Sequence, residues 1–183
     1  AAIDRFGRDG YRATSVADIA RDANVGGTVA YSYFPKKEAL FLAAVDHDAS
    51  GVIGEGFLSV VNDPELEDWQ AQLIVTLIGA VERHPLARRL LAGLEPDVTA
   101  RVLDIPALAE VRRVCADRLR SDQLTGEVRP DIDPVQIADG LVNIVLSVLM
   151  SAVQLGPAVA AERAPDVLAV IAAAIDPVAH PGA

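Results

Sequence analysis

The sequence predicts an all-α protein in which a small N-terminal helix-turn-helix domain precedes a larger helical domain. Apolar residues recur at helical spacing through most of the 183 residues, and no alternating strand pattern of useful length interrupts them. Three short helical segments stand at the start, with a tight turn between the second and the third. Hydrophobic residues make up 51% of the chain but aromatic residues only 4%. A sizeable core must therefore be built mainly of Ala, Val, Leu and Ile.

The first two helices are delimited by turn and cap residues. The first spans residues 1–9 and should end at Gly10, which suits a left-handed helix cap. The second follows Thr14 and Ser15, either of which can cap it. Ser15 and Asp18 also have the spacing of a capping box, in which each side chain bonds to the other's backbone amide.

The third helix, at about residues 27–33, has an unusual pattern of aromatic residues. Asn24 precedes it, and asparagine tolerates the left-handed conformation that a tight turn needs. Tyr31, Tyr33 and Phe34 crowd together at its end, whereas a core stripe would recur every three or four residues. Tyr31 and Phe34 share a face, but Tyr33 points elsewhere. We therefore expect a purpose other than core packing for the second tyrosine ring.

The later helices follow from apolar periodicity and from prolines and capping residues at their starts. Asp133 should cap the longest of them. Its most apolar stretch, residues 141–153, is short for a bilayer span, which needs roughly 20 residues. A buried helix is expected there rather than a membrane span. We predict these helices at about residues 36–50, 69–83, 86–94, 107–124, 134–155 and 165–175.

Charge and cysteine content limit the possible partners and compartment. The net charge is −10, which argues against nucleic acid, but residues 1–40 carry six basic and five acidic residues, a balance of +1. The single cysteine, Cys115, excludes an intramolecular disulfide and a multi-cysteine zinc site, and is expected to be a small buried hydrophobe. Charged residues near the start do not fit a secretory signal, so a cytoplasmic location is expected. The chain starts without methionine inside a helix, so preceding residues are expected to be missing.

One ordered set of segments in the first 45 residues identifies a family resemblance: GY, ATSVADIA, ANV, YSYF and KKEAL. A helix-turn-helix alone is a weak signal, because many three-helix packings do not contact DNA. This order is much more specific, and it closely resembles the N-terminal domain of the tetracycline-repressor (TetR) family of bacterial transcription regulators. The resemblance implies that residues 1–45 bind DNA and that residues 46–183 bind an effector and dimerise.

The resemblance also implies which residues contact DNA. The third helix becomes the recognition helix, whose threonine and valine can contact bases. The polar ends of its tyrosines, and the lysine that follows the helix, can bond to phosphates. Phe34 is expected inside. Tyr31 and Tyr33 could alternatively belong to the core, and Lys36 and Lys37 could be a solvated pair. The implied contacts are Thr14, Ser15, Gly26, Gly27, Thr28, Val29, Tyr31, Ser32, Tyr33 and Lys37.

The pair Gly26 and Gly27 departs from the family pattern, which commonly has polar and basic residues there. The recognition helix therefore lacks a side chain at position 27. Two glycines also weaken the start of the helix by about 1 kcal/mol each relative to alanine. We expect this helix to be frayed in the absence of DNA.

The two C-terminal helices, at 134–155 and 165–175, are apolar nearly all round, which a lone surface helix cannot sustain. An intersubunit four-helix bundle would bury the extra face and give a homodimer; burial within one subunit is the alternative. An effector pocket would be lined by aliphatic residues with a few polar anchors. Each candidate anchor could instead have a core or surface role, and His84 could be only a helix cap. The candidates are Trp69, Glu82, His84, Arg112, Cys115 and Asn143.

The predicted function is a ligand-responsive regulator of transcription, most simply a repressor that a small molecule releases from a palindromic operator. The alternative is a helical small-molecule-binding or scaffold protein whose DNA binding is weak or lost. An enzyme is disfavoured, because no nucleophile–base pair, metal-ligand cluster or phosphate-binding loop occurs. The segment GVIGEG at 51–56 lacks the order and the flanking strand of a dinucleotide site. Neither a cofactor nor a metal is predicted.

Overall fold

A computed structural model describes residues 1–57, 60 and 69–177, without the side chains of 69–71 and 99–101. All regular structure in this part of the chain is helical, which confirms the predicted all-α class. The chain forms two compact units, Ala1–Leu108 and Ala109–Ala183. The division into a DNA-binding part at 1–45 and an effector part at 46–183 stays a functional prediction.

The first unit contains three short helices followed by a longer one, as the sequence predicts. A π-helical segment, Ile53–Phe57, continues the fourth helix, where the glycines of GVIGEG loosen the helical pattern. Further along, the helix Pro106–Thr125 begins at the end of this unit and belongs to the second unit from Ala109 onwards. The helices are α1 (Ala2–Ala13), α2 (Val16–Asp22), α3 (Gly27–Tyr33), α4 (Lys37–Val52), α5 (Trp69–Val81), α6 (Pro85–Leu91), α7 (Pro96–Val102) and α8 (Pro106–Thr125).

Helix α1 is interrupted at Gly10, close to where the sequence predicts its end. Gly10 has a φ of 84°, a conformation that residues with a side chain rarely adopt. The adjacent amide of Tyr11 donates to Oε1 of buried Glu95 at 3.1 Å. Glu95 also accepts from Nε of Arg89 at 2.6 Å. This carboxylate therefore fixes the kink of α1 against the segment that follows α6.

An aromatic cluster joins α1 to α4 in the core of the first unit. Phe6 and Phe41 are both fully buried and meet edge to face, with ring centroids 5.1 Å apart. The ring of Tyr11 lies 4.9 Å from that of Phe41. Edge-to-face rings contribute beyond the area that they bury. With so few aromatic residues in the chain, this concentration fixes α1 firmly on α4.

Two aspartates of α4 cap later helices. Oδ2 of Asp48 accepts the backbone N–H of Ala87 in the first turn of α6, at 2.8 Å. Oδ1 of Asp46 accepts the N–H of Ala107 in the first turn of α8, also at 2.8 Å. The first N–H groups of a helix have no partner within it, and a carboxylate there also complements the helix dipole. Helix α4 is therefore the element on which the later helices of this unit are oriented.

The second unit consists of the remainder of α8 with α9 (Pro134–Leu155) and α10 (Pro157–Ile175). Asp133 caps α9 as predicted, since its carboxylate accepts from the N–H groups of Val135 and Gln136. The amide of Arg129 donates to the carbonyl of Ile175 at 2.9 Å, which fastens the loop before α9 to the end of α10. The core of the unit is formed by Ala116, Leu119, Val128, Ala138, Ile171 and Ile175.

Two helical predictions for the later part of the chain were wrong. Helix α7 was not predicted, because its seven residues show too little apolar periodicity. The last helix begins at Pro157 rather than at Pro165. Gly156, with a φ of 97°, separates it from α9, and Pro157 occupies the first turn, where its missing N–H costs nothing. Pro165 lies inside the helix and removes one internal hydrogen bond.

Helix α9 is longer than the apolar stretch that the sequence indicated. With 22 residues, Pro134–Leu155 is the one helix in the described part of the chain that is long and apolar enough to cross a membrane. Length and composition alone are weak support for a membrane span, because the core helices of other proteins meet the same criterion.

Candidate nucleic-acid interface

The helices α2 and α3 and the turn between them form the helix-turn-helix unit. The amide of Val25 donates to the carbonyl of Ala20 at 2.9 Å, and that of Asn24 donates to Arg21 at 3.0 Å. Asn24 adopts the left-handed conformation that the sequence predicts, with a φ of 54°. The chain then enters α3 at Gly27. In such units the second helix is the one that can enter the major groove of DNA.

A hydrogen-bonded cap fixes the start of α2. The side chain of Ser15 accepts the amide of Asp18 at 3.1 Å, and its hydroxyl donates to Oδ2 of Asp18 at 2.6 Å. Arg21 donates to the other carboxylate oxygen at 2.8 Å. The pKa of Asp18 is lowered below its ordinary value, chiefly by the hydrogen bond from the Ser15 hydroxyl and secondly by that from Arg21. Ser15 remains exposed, so its backbone amide and hydroxyl stay near the surface of this face.

Thr14, whose contact with DNA stays a prediction, has its hydroxyl engaged within the chain. Its side chain is only 2% exposed, and its hydroxyl donates to the carbonyl of Gly10 at 2.8 Å. The bond joins Thr14 to the carbonyl four residues earlier, a local contact that competes with a capping or DNA-binding role. A hydroxyl buried in this way is not available to a phosphate oxygen.

Helix α3 contains no buried residue. Tyr33 is 76% exposed, and Tyr31 and Val29 are about half exposed. Helical spacing places Thr28 and Ser32 on the outer face, opposite half-buried Ala30. The unusual aromatic pattern therefore corresponds to an outward-facing helix.

The residues that delimit α3 contribute little to holding it in place. Phe34, expected inside, is only half-buried. Gly26 caps the helix without a side-chain hydrogen bond. A Cβ atom at Gly27 would have no neighbouring atom within 4 Å, and one at Gly26 would meet only Val29, at 3.9 Å. Neither glycine has a positive φ. Within the described structure, neither steric crowding nor backbone conformation requires glycine at position 27.

Lys37 is placed differently from the prediction. Its Nζ donates to the carbonyl of Tyr11 at 2.9 Å and lies 4.4 Å from the centre of the Tyr11 ring. The predicted phosphate contact therefore requires this side chain to leave two favourable interactions. The preceding Lys36 is exposed, and it stands at the N-terminus of α4.

Arginines of the first unit form ion pairs that the sequence did not indicate. Arg5 pairs with Asp22 at 2.6 Å, and Arg12 pairs with Asp97. These partners are far apart in sequence, so no local spacing rule would have found them. Neighbouring carboxylates consequently neutralise more of the positive charge in residues 1–40 than the sequence alone indicates.

The predicted effector anchors of the first unit lie in two kinds of surroundings. Nδ1 of His84 is 2.9 Å from buried Asp48, and Nε2 is 3.3 Å from Glu55. His84 also stands at the N-cap of α6, as the alternative interpretation expected, but without a side-chain capping bond. Glu82 is exposed, 3.4 Å from Arg88. The side chain of Trp69 lies outside the described residues.

The anchors predicted in the second unit are also engaged or exposed. Arg112 forms an ion pair with Asp139 at 3.4 Å. Cys115 packs beside the core of the unit, and burial raises the pKa of its thiol to about 11. It is half-buried, so the expectation of a small buried hydrophobe is met only in part. Asn143 is exposed on α9. In the described part of the chain, no group of three or more His, Cys, Asp or Glu is placed to hold a metal ion.

Comparison with known proteins agrees with this geometry. Residues 1–44 match the family model of the bacterial regulatory proteins of the tetR family. A search of curated protein sequences gives no match.

Solved structures of low sequence identity share the fold over nearly the whole chain. FadR of Thermus thermophilus, a TetR-family transcriptional repressor in complex with lauroyl-CoA, is 22% identical, with a TM-score of 0.68 over 100% of this chain and 96% of that chain. The fatty acid degradation regulator FadR of Bacillus halodurans is 17% identical, with a TM-score of 0.68 over 93% of both chains. A gamma-butyrolactone receptor is 22% identical, with a TM-score of 0.57 over 97% of this chain and 85% of that chain.

Residues 1–44 thus match the tetR family of bacterial regulatory proteins, and the chain shares its fold with solved structures of TetR-family regulators.

Proposed function

We propose that the protein is a repressor that binds a palindromic operator as a homodimer and leaves it when a small-molecule effector binds. The observation that carries the DNA-binding part is the exposure of α3. No residue of this helix is buried, and Tyr33 is 76% exposed. A solvated helix does not gain stability from exposed aromatic rings, whereas a groove-binding helix uses them for phosphate and base contacts.

The proposed interface keeps most of the predicted residues and changes two. Tyr31 and Tyr33 donate to phosphate oxygens at the edges of the groove. Ser15 and the first amides of α4 contact the backbone, since helix N-termini favour anions. Lys36 supplies the phosphate contact that was expected of Lys37, and Thr14 is left out. The base-facing residues are Gly26, Gly27, Thr28, Val29 and Ser32.

Dimerisation through α9 and α10 explains the exposed apolar residues of these helices. Leu155 and Val170 are each about 60% exposed, and Val135 is about half exposed. An intersubunit four-helix bundle would cover such side chains, and its two-fold symmetry would match two operator half-sites. Sedimentation of the full chain should give a dimer at micromolar concentration; a monomer there would contradict this part of the proposal.

The effector is proposed to be an aliphatic molecule. The FadR of Thermus thermophilus was solved with lauroyl-CoA. A chain with only 4% aromatic residues offers few rings for stacking on a planar cationic drug. The effector would bind more tightly to a dimer in which the spacing of the two α3 helices does not match the two operator half-sites. It can lower the affinity for DNA by no more than the difference between its affinities for the two states of the dimer. A saturating acyl-CoA that leaves operator affinity unchanged would be excluded as the effector.

The rival function is a helical binding or scaffold protein that no longer binds DNA, located like the repressor in the cytoplasm. It is favoured by the net charge of −10 and by the ion pairs of Arg5 and Arg12. A mobility-shift assay on genomic fragments, including the protein's own promoter region, distinguishes the two.

A repressor gives a shift specific for one fragment. The variant Tyr33→Phe should weaken it about tenfold, because a hydrogen bond to a charged group is lost. Val75→Ala, a change at an exposed valine of α5, should have no effect. Equal, weak binding of all fragments would favour the rival.

A further inference from the structure

Helix α3 carries none of the side chains that form paired hydrogen bonds with bases. Its sequence, GTVAYSY, contains no arginine, lysine, asparagine, glutamine, aspartate or glutamate. Bidentate recognition of guanine uses Arg or Lys, that of adenine uses Asn or Gln, and cytosine is recognised by a carboxylate. This helix can make none of these contacts.

The hydroxyl hydrogen of Ser32 is already used within the helix. Ser32 Oγ donates to the carbonyl of Val29 at 2.7 Å. The outer face then offers chiefly methyl groups, from exposed Thr28 and from Val29, which is 51% exposed. Thymine is the one base that presents a methyl group in the major groove. The methyl groups on this face of the helix can therefore pack against the methyl group of thymine.

Gly27 makes a close approach of this helix to the base pairs possible. The space where its side chain would lie is open, and its conformation does not require glycine. Glycine nevertheless weakens a helix relative to alanine. Backbone that must come close to a ligand is a recognised reason for glycine. The absence of a side chain at position 27 lets the methyl groups of Thr28 and Val29 contact bases.

We infer that the protein recognises its operator mainly through thymine methyl groups, which contact Val29 and Thr28 in the major groove. This inference rests on the proposed DNA-binding function and adds the chemistry of the sequence that is recognised. The ion pairs of Arg5 with Asp22 and of Arg12 with Asp97 leave less positive charge for phosphates. Apolar contacts therefore account for a larger share of the affinity than in a basic DNA-binding protein.

The test begins with selection of binding sites from random duplex DNA by the full-length chain. Thymines in the selected half-sites are then replaced singly by uracil, which lacks the methyl group but keeps the base-pairing edge. Affinity should fall about fourfold for each contacted methyl group. Replacement of cytosine by 5-methylcytosine at a contacted position, in a site where thymine was first changed to cytosine, should recover a similar factor.

Variants link the effect to the helix. Val29→Ala should lose the difference between thymine and uracil at the position that Val29 contacts, because the apolar partner of that methyl group is gone, whereas a thymine contacted by Thr28 keeps its difference. Val75→Ala removes a valine of α5 that is also well exposed, 65% against 51% for Val29, and should keep the full difference. Both valines are exposed, so neither change should prevent folding.

The outcomes separate the inference from the function on which it rests. Failure to enrich any sequence would overturn both the proposed function and the inference. An enriched operator that binds equally well with uracil at every thymine would overturn the inference alone. An unchanged thymine preference in Val29→Ala would equally overturn it, since the methyl groups would then contact another part of the protein.

Discussion

Helices α2 and α3 are neighbours of equal length, and they are held by different means. Each has seven residues, but α2 buries Val16, Ile19 and Ala20, whereas α3 buries none. Ser15 caps α2 with a side-chain hydrogen bond, whereas Gly26 provides none for α3. Helix α2 is therefore stabilised by contacts within the chain. The sequence of α3 is better explained by the contact with DNA that we propose for it.

Truncation of apolar side chains should give the largest difference between the two helices. Ile19→Ala is expected to lower the free energy of unfolding by about 2–5 kcal/mol, because Ile19 is 5% exposed and its loss leaves a cavity. Val29→Ala should change it by less than about 0.5 kcal/mol. Urea unfolding followed by circular dichroism measures both. A loss of comparable size in Val29→Ala would show that α3 is packed in solution.

Replacement of glycine by alanine should have opposite effects in α3 and in α1, a second helix that is packed within the chain. A Cβ atom at Gly7 in α1 would lie 2.9 Å from Cβ of Pro85, so Gly7→Ala should destabilise by about 1–3 kcal/mol. Gly27→Ala meets open space and should stabilise by about 0.4–1 kcal/mol. We also expect Gly27→Ala to weaken operator binding. If Gly27→Ala stabilises the protein and leaves DNA affinity intact, the close approach of α3 to DNA is not needed.

Loss of a cap should affect α2 more than the matching serine change affects α3. Ser15→Ala removes the acceptor of the Asp18 amide and should cost about 1 kcal/mol. Ser32→Ala removes only a bond to the carbonyl of Val29 on an exposed face, and should cost less than about 0.5 kcal/mol. Hydrogen exchange should show faster exchange along α2 in Ser15→Ala. Amides at residues 26–29 should already exchange fast in the parent, and core-like protection there would contradict the expected fraying.

Acid should weaken α2 selectively, and this is the smallest effect. The pKa of Asp18 is lowered in the folded protein, chiefly by the Ser15 hydroxyl, so its contribution is complete above the unfolded value of about 3.9. That contribution is lost as the pH falls through the lower folded value. As the pH is lowered, the hydrogen-exchange rates of the α2 amides in the parent protein should approach those in Asp18→Asn. The amides of α3, which has no carboxylate, provide the internal reference.

Local signals in the sequence predicted much of the fold and of the candidate interface. The cap at Ser15, the turn at Asn24 and the cap at Asp133 depend on residues within a few positions, and each is found where it was expected. The start of α10 was predicted wrongly, because Pro157 and Pro165 are both suited to the first turn of a helix. Helix α7 was missed, because a helix of seven residues shows little apolar periodicity. The residue assignments for DNA and effector binding stay predictions.

The sequence by itself determined the all-α class, the helix-turn-helix and its resemblance to one family, because periodicity, caps and turn residues act over a few positions. Only the tertiary structure decided which groups are available. It buries Thr14 against the carbonyl of Gly10, ties Lys37 to Tyr11 and pairs Arg12 with Asp97. The last two depend on which distant segments pack together. The spacing of residues along the sequence does not predict such contacts, because their energy depends on which side chains lie close together in the folded protein.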